Sequence, residues 1–343
     1  MDRKGGMRQR IAPILLALAA LAACLVPAAC GEKSEDGSRQ PDAFDLTLDF
    51  YPNPDHAGIY LAEERGFFRE AGLDVRIHQP SDPSAPLKLL ATGRTDLAIS
   101  YEPEVVLARE QDLDVVAVGA LVDRPLTSLI WTADSGLGGI RDLRGKTIAT
   151  AGIGYQDAYL ETILARVDLT PDDVKSVNVG FGLLPAVLGG RADAMLGGFR
   201  NVEGVDLRLR GAAPTVLPVD RLGVPTYDEL VLVAQGESLD EDPEAIRLFL
   251  AALARGTSAA VADPAASAQA VLEANSGLDP RLTEAETEAT LPLLGAAAED
   301  SFAMNPRRWG EFSGWMRDNG LIDSLPPTSE LLTNDHLPGT IPE

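Results

Sequence analysis

The chain has 343 residues, 45% of them apolar, and a formal net charge of −23. That length suits one or two packed domains, and so acidic a surface repels phosphate backbones and excludes a nucleic-acid role. With three His and two Cys, neither a metal nor a cofactor is expected.

The first predicted element is an export signal. MDRKGGMRQR is basic, and IAPILLALAALAACLV is an apolar run of about 16 residues, short for a membrane span. Leu21-Ala22-Ala23-Cys24 has the form of a lipobox, in which the Cys is lipidated after cleavage before it. Pro27-Ala28-Ala29-Cys30 fits less well, because Pro replaces the aliphatic residue. GEKSEDGSRQPD then reads as a polar tether. Residues 1–30 are therefore expected to be signal and lipobox, and 31–43 a flexible tether. The rest would work outside the cytoplasm, held to the cell membrane by lipid on Cys24, with Cys30 as the alternative. No Cys follows, so no disulfide is expected.

From Phe44 the pattern alternates strand and helix. DLTLDF has the two-residue period of a strand. HAGIYLAEERGFFREAG predicts one helix, with Asp55 as N-cap and Gly72 as stop. DVRIHQ, DLAISY, DVVAVGALV and TSLIWT predict strands, with helices after Asp82-Pro83 and over EPEVVLAREQ. TIATA, GYQDAYLETILARV, SVNVGF and LLPAVLGGRADAMLGG continue the alternation. After ELVLVAQ the chain becomes helical, and the Pro-rich tail from Ser324 is expected to be loop.

Gly93-Arg94-Thr95-Asp96 and Gly190-Arg191-Ala192-Asp193 echo each other, each between a helix end and a buried strand. Two α/β lobes of similar construction would produce this, though G-R-x-D is also a common tight turn. Ligands of parallel sheets collect beyond the carboxyl ends of strands. The groups found there are Asn53 and His56; Tyr101, Glu102 and Glu104; Tyr155, Gln156 and Asp157; Phe199, Asn201 and Glu203; and Tyr227, Asp228 and Glu229. Carboxylates beside aromatic faces suit a flat, nitrogen-rich ring that presents donors. His56 reads equally well as a buttress of the first helix. No GxSxG, HExxH or zinc-spaced Cys/His cluster occurs.

DFYPNPDHAGIYLAEERGFFREAGLDV, SYEPE, GYQDAY, MLGGFRNVEGV and GVPTYDELVLVA resemble the thiamine-pyrimidine-precursor binding family. Its members are solute-binding proteins of ABC importers, related to the fungal-type pyrimidine precursor synthase. The resemblance implies an α/β, two-lobed fold of the periplasmic-binding-protein type II kind, with the ligand in a cleft between lobes. Lobe 1 is expected over 44–131 plus 235–343 and lobe 2 over 132–234. The implied ligand is an aminopyrimidine, the implied partners a permease with its ATPase, and the implied state a monomer. The residues carried over are Phe50 (where the family usually has Trp), Asn53, His56, Tyr101, Glu102, Tyr155, Asn201, Glu203, Tyr227 and Glu229. Glu229 is expected to accept from the ring amine. Arg200 departs from an aromatic common in the family and could alter ligand choice.

The synthase holds its cofactor on a lysine and consumes a histidine in the segment matching LAISYEPEV, where this chain has Ser100 and Glu104. Its Cys-rich run falls on GVPTYDEL, which has no Cys. A non-enzyme is therefore expected. The alternatives are the same fold binding riboflavin, another heterocycle or a sulfonate, and, farther off, an extracytoplasmic enzyme acting on a pyrimidine. Two prolines, Pro52 and Pro54, would stiffen the turn that carries Asn53.

Overall fold

The computed structural model describes residues 41–294 and 302–339; Cys24, Cys30 and nearly all of the expected tether lie outside them. The first lobe opens with β1 (Asp42–Thr47), α1 (Ala57–Glu64), α2 (Phe67–Glu70), β2 (Leu73–His78), α3 (Ala85–Ala91), β3 (Leu97–Ser100), α4 (Glu102–Glu110) and β4 (Val115–Val122). The second contains β5 (Thr127–Trp131), β6 (Thr147–Thr150), α5 (Gln156–Ala165), β7 (Lys175–Asn178), α6 (Leu183–Leu188), β8 (Ala194–Phe199), α7 (Glu203–Leu209) and β9 (Thr215–Pro218). β10 (Leu230–Gln235) returns to the first lobe. It is followed by α8 (Gly236–Glu241), α9 (Pro243–Ala262), α10 (Pro264–Ala274), α11 (Pro280–Thr290), α12 (Pro306–Asp318) and α13 (Thr328–Leu331).

Each lobe has one five-stranded sheet, in the orders β2-β1-β3-β10-β4 and β7-β6-β8-β5-β9. The two orders match strand for strand: three parallel neighbours, then a strand antiparallel to the third. The G-R-x-D echo is part of this likeness. Gly93 and Gly190 both sit at φ 65°, the left-handed conformation glycine adopts without strain. Asp96 then accepts from the Asp45 N–H at 2.6 Å, and Asp193 from the Thr147 N–H at 2.8 Å. In both lobes one aspartate thus fixes the neighbouring parallel strand one residue before the pairing begins, at Leu46 with Leu97 and at Ile148 with Ala194.

Sheet membership moves both expected crossings. β5 pairs only with β8 and β9, whereas β10 pairs with β3 and β4. Both strands are buried nearly throughout, and nothing in their sequence says which sheet receives them. We therefore place the lobe limits in segments 123–126 and 223–229 rather than at 131 and 234.

The first predicted helix also changes. Asn53, not Asp55, is its N-cap: Asn53 Oδ1 accepts from the Asp55 N–H at 2.8 Å and opens a short 3-10 turn, Pro54–His56. Gly66, at φ 72°, then splits the helix into α1 and α2. The tail is not all loop, since α13 forms and Leu332 bridges to Ala117 of β4.

The C-terminal helices belong to the first lobe through α9, whose Ile246, Phe249, Leu250 and Leu253 are buried at helical spacing. The Phe249 ring stacks on Phe44 and Phe68, with centroids 5.1 and 5.0 Å apart. Such contact needs glycine at the α1–α9 crossing: a Cβ on Gly256 would lie 2.2 Å from the Gly58 carbonyl oxygen. A smaller core cluster in the second lobe includes Ile130, Leu183, Val187 and Met195.

Candidate functional site

Between the sheets lies a narrow cleft whose empty space, open solvent included, is about 410 Å³. The first lobe contributes Phe50, beyond β1, and Tyr101, at the end of β3. The second contributes Thr127, Tyr155, Gln156, Phe181, Phe199 and Glu203, mostly at strand ends. Helices cover both faces of a parallel sheet, so its strand ends are where ligand-facing side chains can emerge.

Aromatic rings close the slot. Phe50 meets Phe181 edge to face, with centroids 4.9 Å apart and planes at 87°. Tyr51 lies 5.0 Å from Phe181 on the same cluster, so rings of both lobes touch at the mouth. Tyr101 is edge-on to Tyr155 and to Phe199, at 6.4 Å in each case. From Tyr155 the rings continue through Tyr159 to Tyr227 and Phe312, at successive spacings of 4.9, 5.8 and 5.0 Å.

Of the ten residues expected at the site, Phe50, Tyr101, Tyr155 and Glu203 line this cleft. The Glu203 carboxylate accepts from the Phe199 N–H at 2.7 Å, and burial pushes its pKa up to about 7. The other six hold the frame. Asn53 spends its amide on its own turn, accepting from Asp55 N–H and donating to the Tyr51 carbonyl at 2.9 Å. His56 is fully buried. Its Nδ1 accepts from the Asn53 N–H at 3.3 Å, so Nε2 carries the proton and donates to Asp49 Oδ1 at 2.9 Å. Asp49 Oδ2 accepts from the Tyr101 hydroxyl at 2.9 Å, so this buried carboxylate positions Tyr101 from behind.

Glu102 and Glu229 work at the crossings. The Glu229 carboxylate accepts from the N–H groups of Leu126 and Thr127 at 2.6 and 2.7 Å, from the Thr127 hydroxyl at 2.8 Å, and from Tyr227 at 3.0 Å. It therefore ties the returning crossing to the outgoing one and, fully buried and outside the cleft lining, offers no acceptor to a ring amine there. Burial pushes its pKa up to about 7 against those hydrogen bonds. Glu102 accepts from the Asp228 N–H at 2.7 Å. Asp228 in turn receives Trp309 Nε1 at 2.7 Å and pairs with Arg308, both from α12. Asn201 joins the lobes: its Nδ2 donates to Asp55 Oδ1 at 2.7 Å and to Thr290 Oγ1 at 2.8 Å.

Asp49, Thr127 and Phe181 were missed by sequence reasoning. Asp49 occupies a polar position of an alternating strand, which reads as solvent-facing, but β1 ends at Thr47 and the chain turns inward. Phe181 does carry the strand-end signal that singled out Tyr101. Gln156, beside Tyr155, braces the cleft wall. Its Oε1 accepts from the Ala151 N–H at 2.9 Å, while Nε2 packs on Gly197. Among the described residues no His, Cys, Asp or Glu group has metal-binding geometry.

Comparison with known proteins gives this arrangement its context. The profile of the NMT1/THI5-like family matches residues 53–267. The chain belongs to that family. It is 34% identical over 296 residues to the formylaminopyrimidine-binding protein of Halalkalibacterium halodurans, covering 86% of this chain and 84% of that one. It is 27% identical over 237 residues to the 4-amino-5-hydroxymethyl-2-methylpyrimidine phosphate synthase of Aspergillus parasiticus, covering 66% and 69%. The alkanesulfonate-binding protein SsuA of Xanthomonas axonopodis pv. citri superposes with a TM-score of 0.69 at 17% identity, over 86% of this chain and 99% of that one. The fold of this NMT1/THI5-like chain is thus the two-lobed α/β fold of the periplasmic binding proteins, as the resemblance implied.

Proposed function

We propose that this NMT1/THI5-like protein is the extracytoplasmic binding component of an ABC importer, taking up a thiamine pyrimidine precursor of the formylaminopyrimidine class. The observation that carries this reading is the aromatic slot between the lobes with one buried carboxylate, Glu203, among its rings. Phe50, Tyr101, Tyr155, Phe181 and Phe199 would sandwich a flat ring, each stacked or edge-on ring contributing about 0.5–1.5 kcal/mol. Glu203, with its pKa near neutrality, can accept from an exocyclic amine and share a proton with a ring nitrogen. A sulfonate would place its charge against that carboxylate, which argues against it. The ligand named for the Halalkalibacterium relative has the flat ring and donors this slot calls for.

A binding role is supported over catalysis by the cleft chemistry. Ser100 and Glu104, at the positions where the synthase carries its reactive groups, are bonded to each other at 2.8 Å. The basic and apolar N-terminal segment with its cysteines supports a lipid anchor in the cell membrane, Cys24 being the proposed site. Delivery to a permease would follow closure of the lobes over the ligand.

The test is thermal unfolding of the full chain in mild detergent, with and without formylaminopyrimidine. A ligand at 100 times its Kd adds about 2.7 kcal/mol to stability, so a clear upward shift is expected, absent with riboflavin or taurine and weakened by Glu203→Gln. A shift with riboflavin alone would overturn the ligand assignment, and conversion of the bound pyrimidine would overturn the binding role.

A further inference from the structure

A second crevice, with about 640 Å³ of empty space including open solvent, shares no lining residue with the aromatic cleft. Arg200, Arg208 and Arg221 line it, with Asn201, Val216 and Leu293. The arginines are far apart in local structure: Arg200 follows β8, Arg208 lies in α7, and Arg221 in the 3-10 turn after β9. Folding brings three positive side chains to one opening in a chain where carboxylates outnumber Lys and Arg by 52 to 29.

In such a chain an arginine readily finds a carboxylate. Arg144 pairs with Asp173, Arg210 with Asp206 and Arg255 with Glu70. Among the described residues Arg200, Arg208 and Arg221 form no contact ion pair. Arg200 Nε is buried without a hydrogen-bond partner. Arg208 donates to the Arg200 carbonyl at 3.4 Å, which holds it over the opening. Burial above all lowers the Arg200 pKa; Arg124 and Arg221 repel it in the same direction, while Asp220 and Glu229 attract it without contact. Three guanidiniums thus line one opening with a buried unsatisfied donor among them and, among the described residues, no carboxylate in contact with them.

We propose that this crevice binds a small oxyanion of the phosphate class. A tetrahedral dianion accepts from several guanidiniums at once, in the forked geometry that Arg supplies and Lys does not. It would relieve the mutual repulsion of the guanidiniums. Arg200 therefore serves this second crevice, not the choice of ring in the cleft.

The experiment is calorimetric titration of the full chain in mild detergent with inorganic phosphate, sodium chloride serving as the control at equal ionic strength. A saturable heat is expected, weakened about tenfold or more in Arg208→Ala/Arg221→Ala and partly retained in Arg208→Lys/Arg221→Lys. Both residues are exposed, and unchanged circular dichroism without phosphate would establish that the variants fold; if the double variant does not, Arg208→Ala alone gives the same readout. Phosphatidylglycerol-doped micelles form a second arm: Arg-dependent binding to these without binding to the free ion would make a lipid headgroup the source. The proposal is overturned if neither form binds above the chloride control, or if the Ala variants bind as tightly as the parent.

Discussion

The amide of Asn201 donates to the carboxyl of Asp55 at 2.7 Å, joining the loop after β8 in the second lobe to the first turn beyond β1. The same nitrogen reaches Thr290 of α11, so one side chain fastens the second lobe to two elements of the first. A hydrogen bond contributes about 0.5–1.5 kcal/mol, and about 1.5–3 kcal/mol where the partner is charged, as Asp55 is above neutrality. Asn201→Ala is therefore expected to weaken closure. Small-angle scattering should show a larger radius of gyration than the parent under identical conditions, and binding of the cleft ligand should fall roughly 10- to 100-fold. An unchanged radius and affinity would mean that the bond does not hold the lobes.

Glu229 is a frame residue, and its replacement should cost stability more than affinity. Glu229→Ala leaves the buried N–H groups of Leu126 and Thr127 without acceptors. Each orphaned donor costs about 1–3 kcal/mol, so urea unfolding should register a loss of roughly 2–6 kcal/mol. If the variant instead folded normally and lost only ligand, the carboxylate would be a ligand contact after all.

Gly197 lines the cleft at φ 114°, where other residues are strained. A Cβ there would lie 2.5 Å from Gln156 Nε2. Gly197→Ala should push Gln156 into the slot, costing about 1–3 kcal/mol in backbone strain and at least tenfold in ligand affinity. Equilibrium titration beside a thermal melt separates the two effects, and parent-like values in both would refute the steric argument.

Stability should fall as pH rises through neutrality. Burial raises Asp55, Glu104, Glu203 and Glu229 to about 7, and Glu286 to about 9. Between the ordinary carboxylate range and 7 the folded chain holds protons that the unfolded chain has released, so unfolding releases protons and raising the pH favours it. The stabilisation is complete below the unfolded values and is lost as pH rises through 7, with Glu286 extending the loss toward 9. His336, lowered by burial, opposes this as a single group. Asp82 and Asp173 are held low by hydrogen bonds and act only on the acid side of the ordinary range. Melts of the ligand-free protein should therefore be higher at pH 5 than at pH 8, and the reverse order would show that these carboxyls ionise freely in the fold.

The strand–helix alternation and the two-lobed plan were legible because apolar period and glycine turns are local signals. The G-R-x-D echo even marked equivalent corners of the two sheets. The division of labour within the site was not legible. Strand-end position singled out Tyr101, Tyr155 and Glu203, which line the cleft, together with Glu102, Asn201 and Glu229, which lie outside its lining and bond across the crossings and lobes. A carboxylate that accepts backbone N–H groups from 102 or 103 residues away looks in sequence the same as one facing ligand. Only the partner, fixed by tertiary contact, tells them apart.

The interleaving of β10 bears on how the molecule assembles. The second sheet is drawn from one uninterrupted stretch, β5 to β9, and can zip up from its own strands. The first cannot: β10 lies between β3 and β4, so those strands lack their shared neighbour until residues 230–235 arrive. Closing so long a loop carries an entropic cost before any contact repays it. The amino-terminal lobe, although made first, is therefore the last to be completed. While it waits, the edges of β3 and β4 are the parts of the chain most exposed to mispairing.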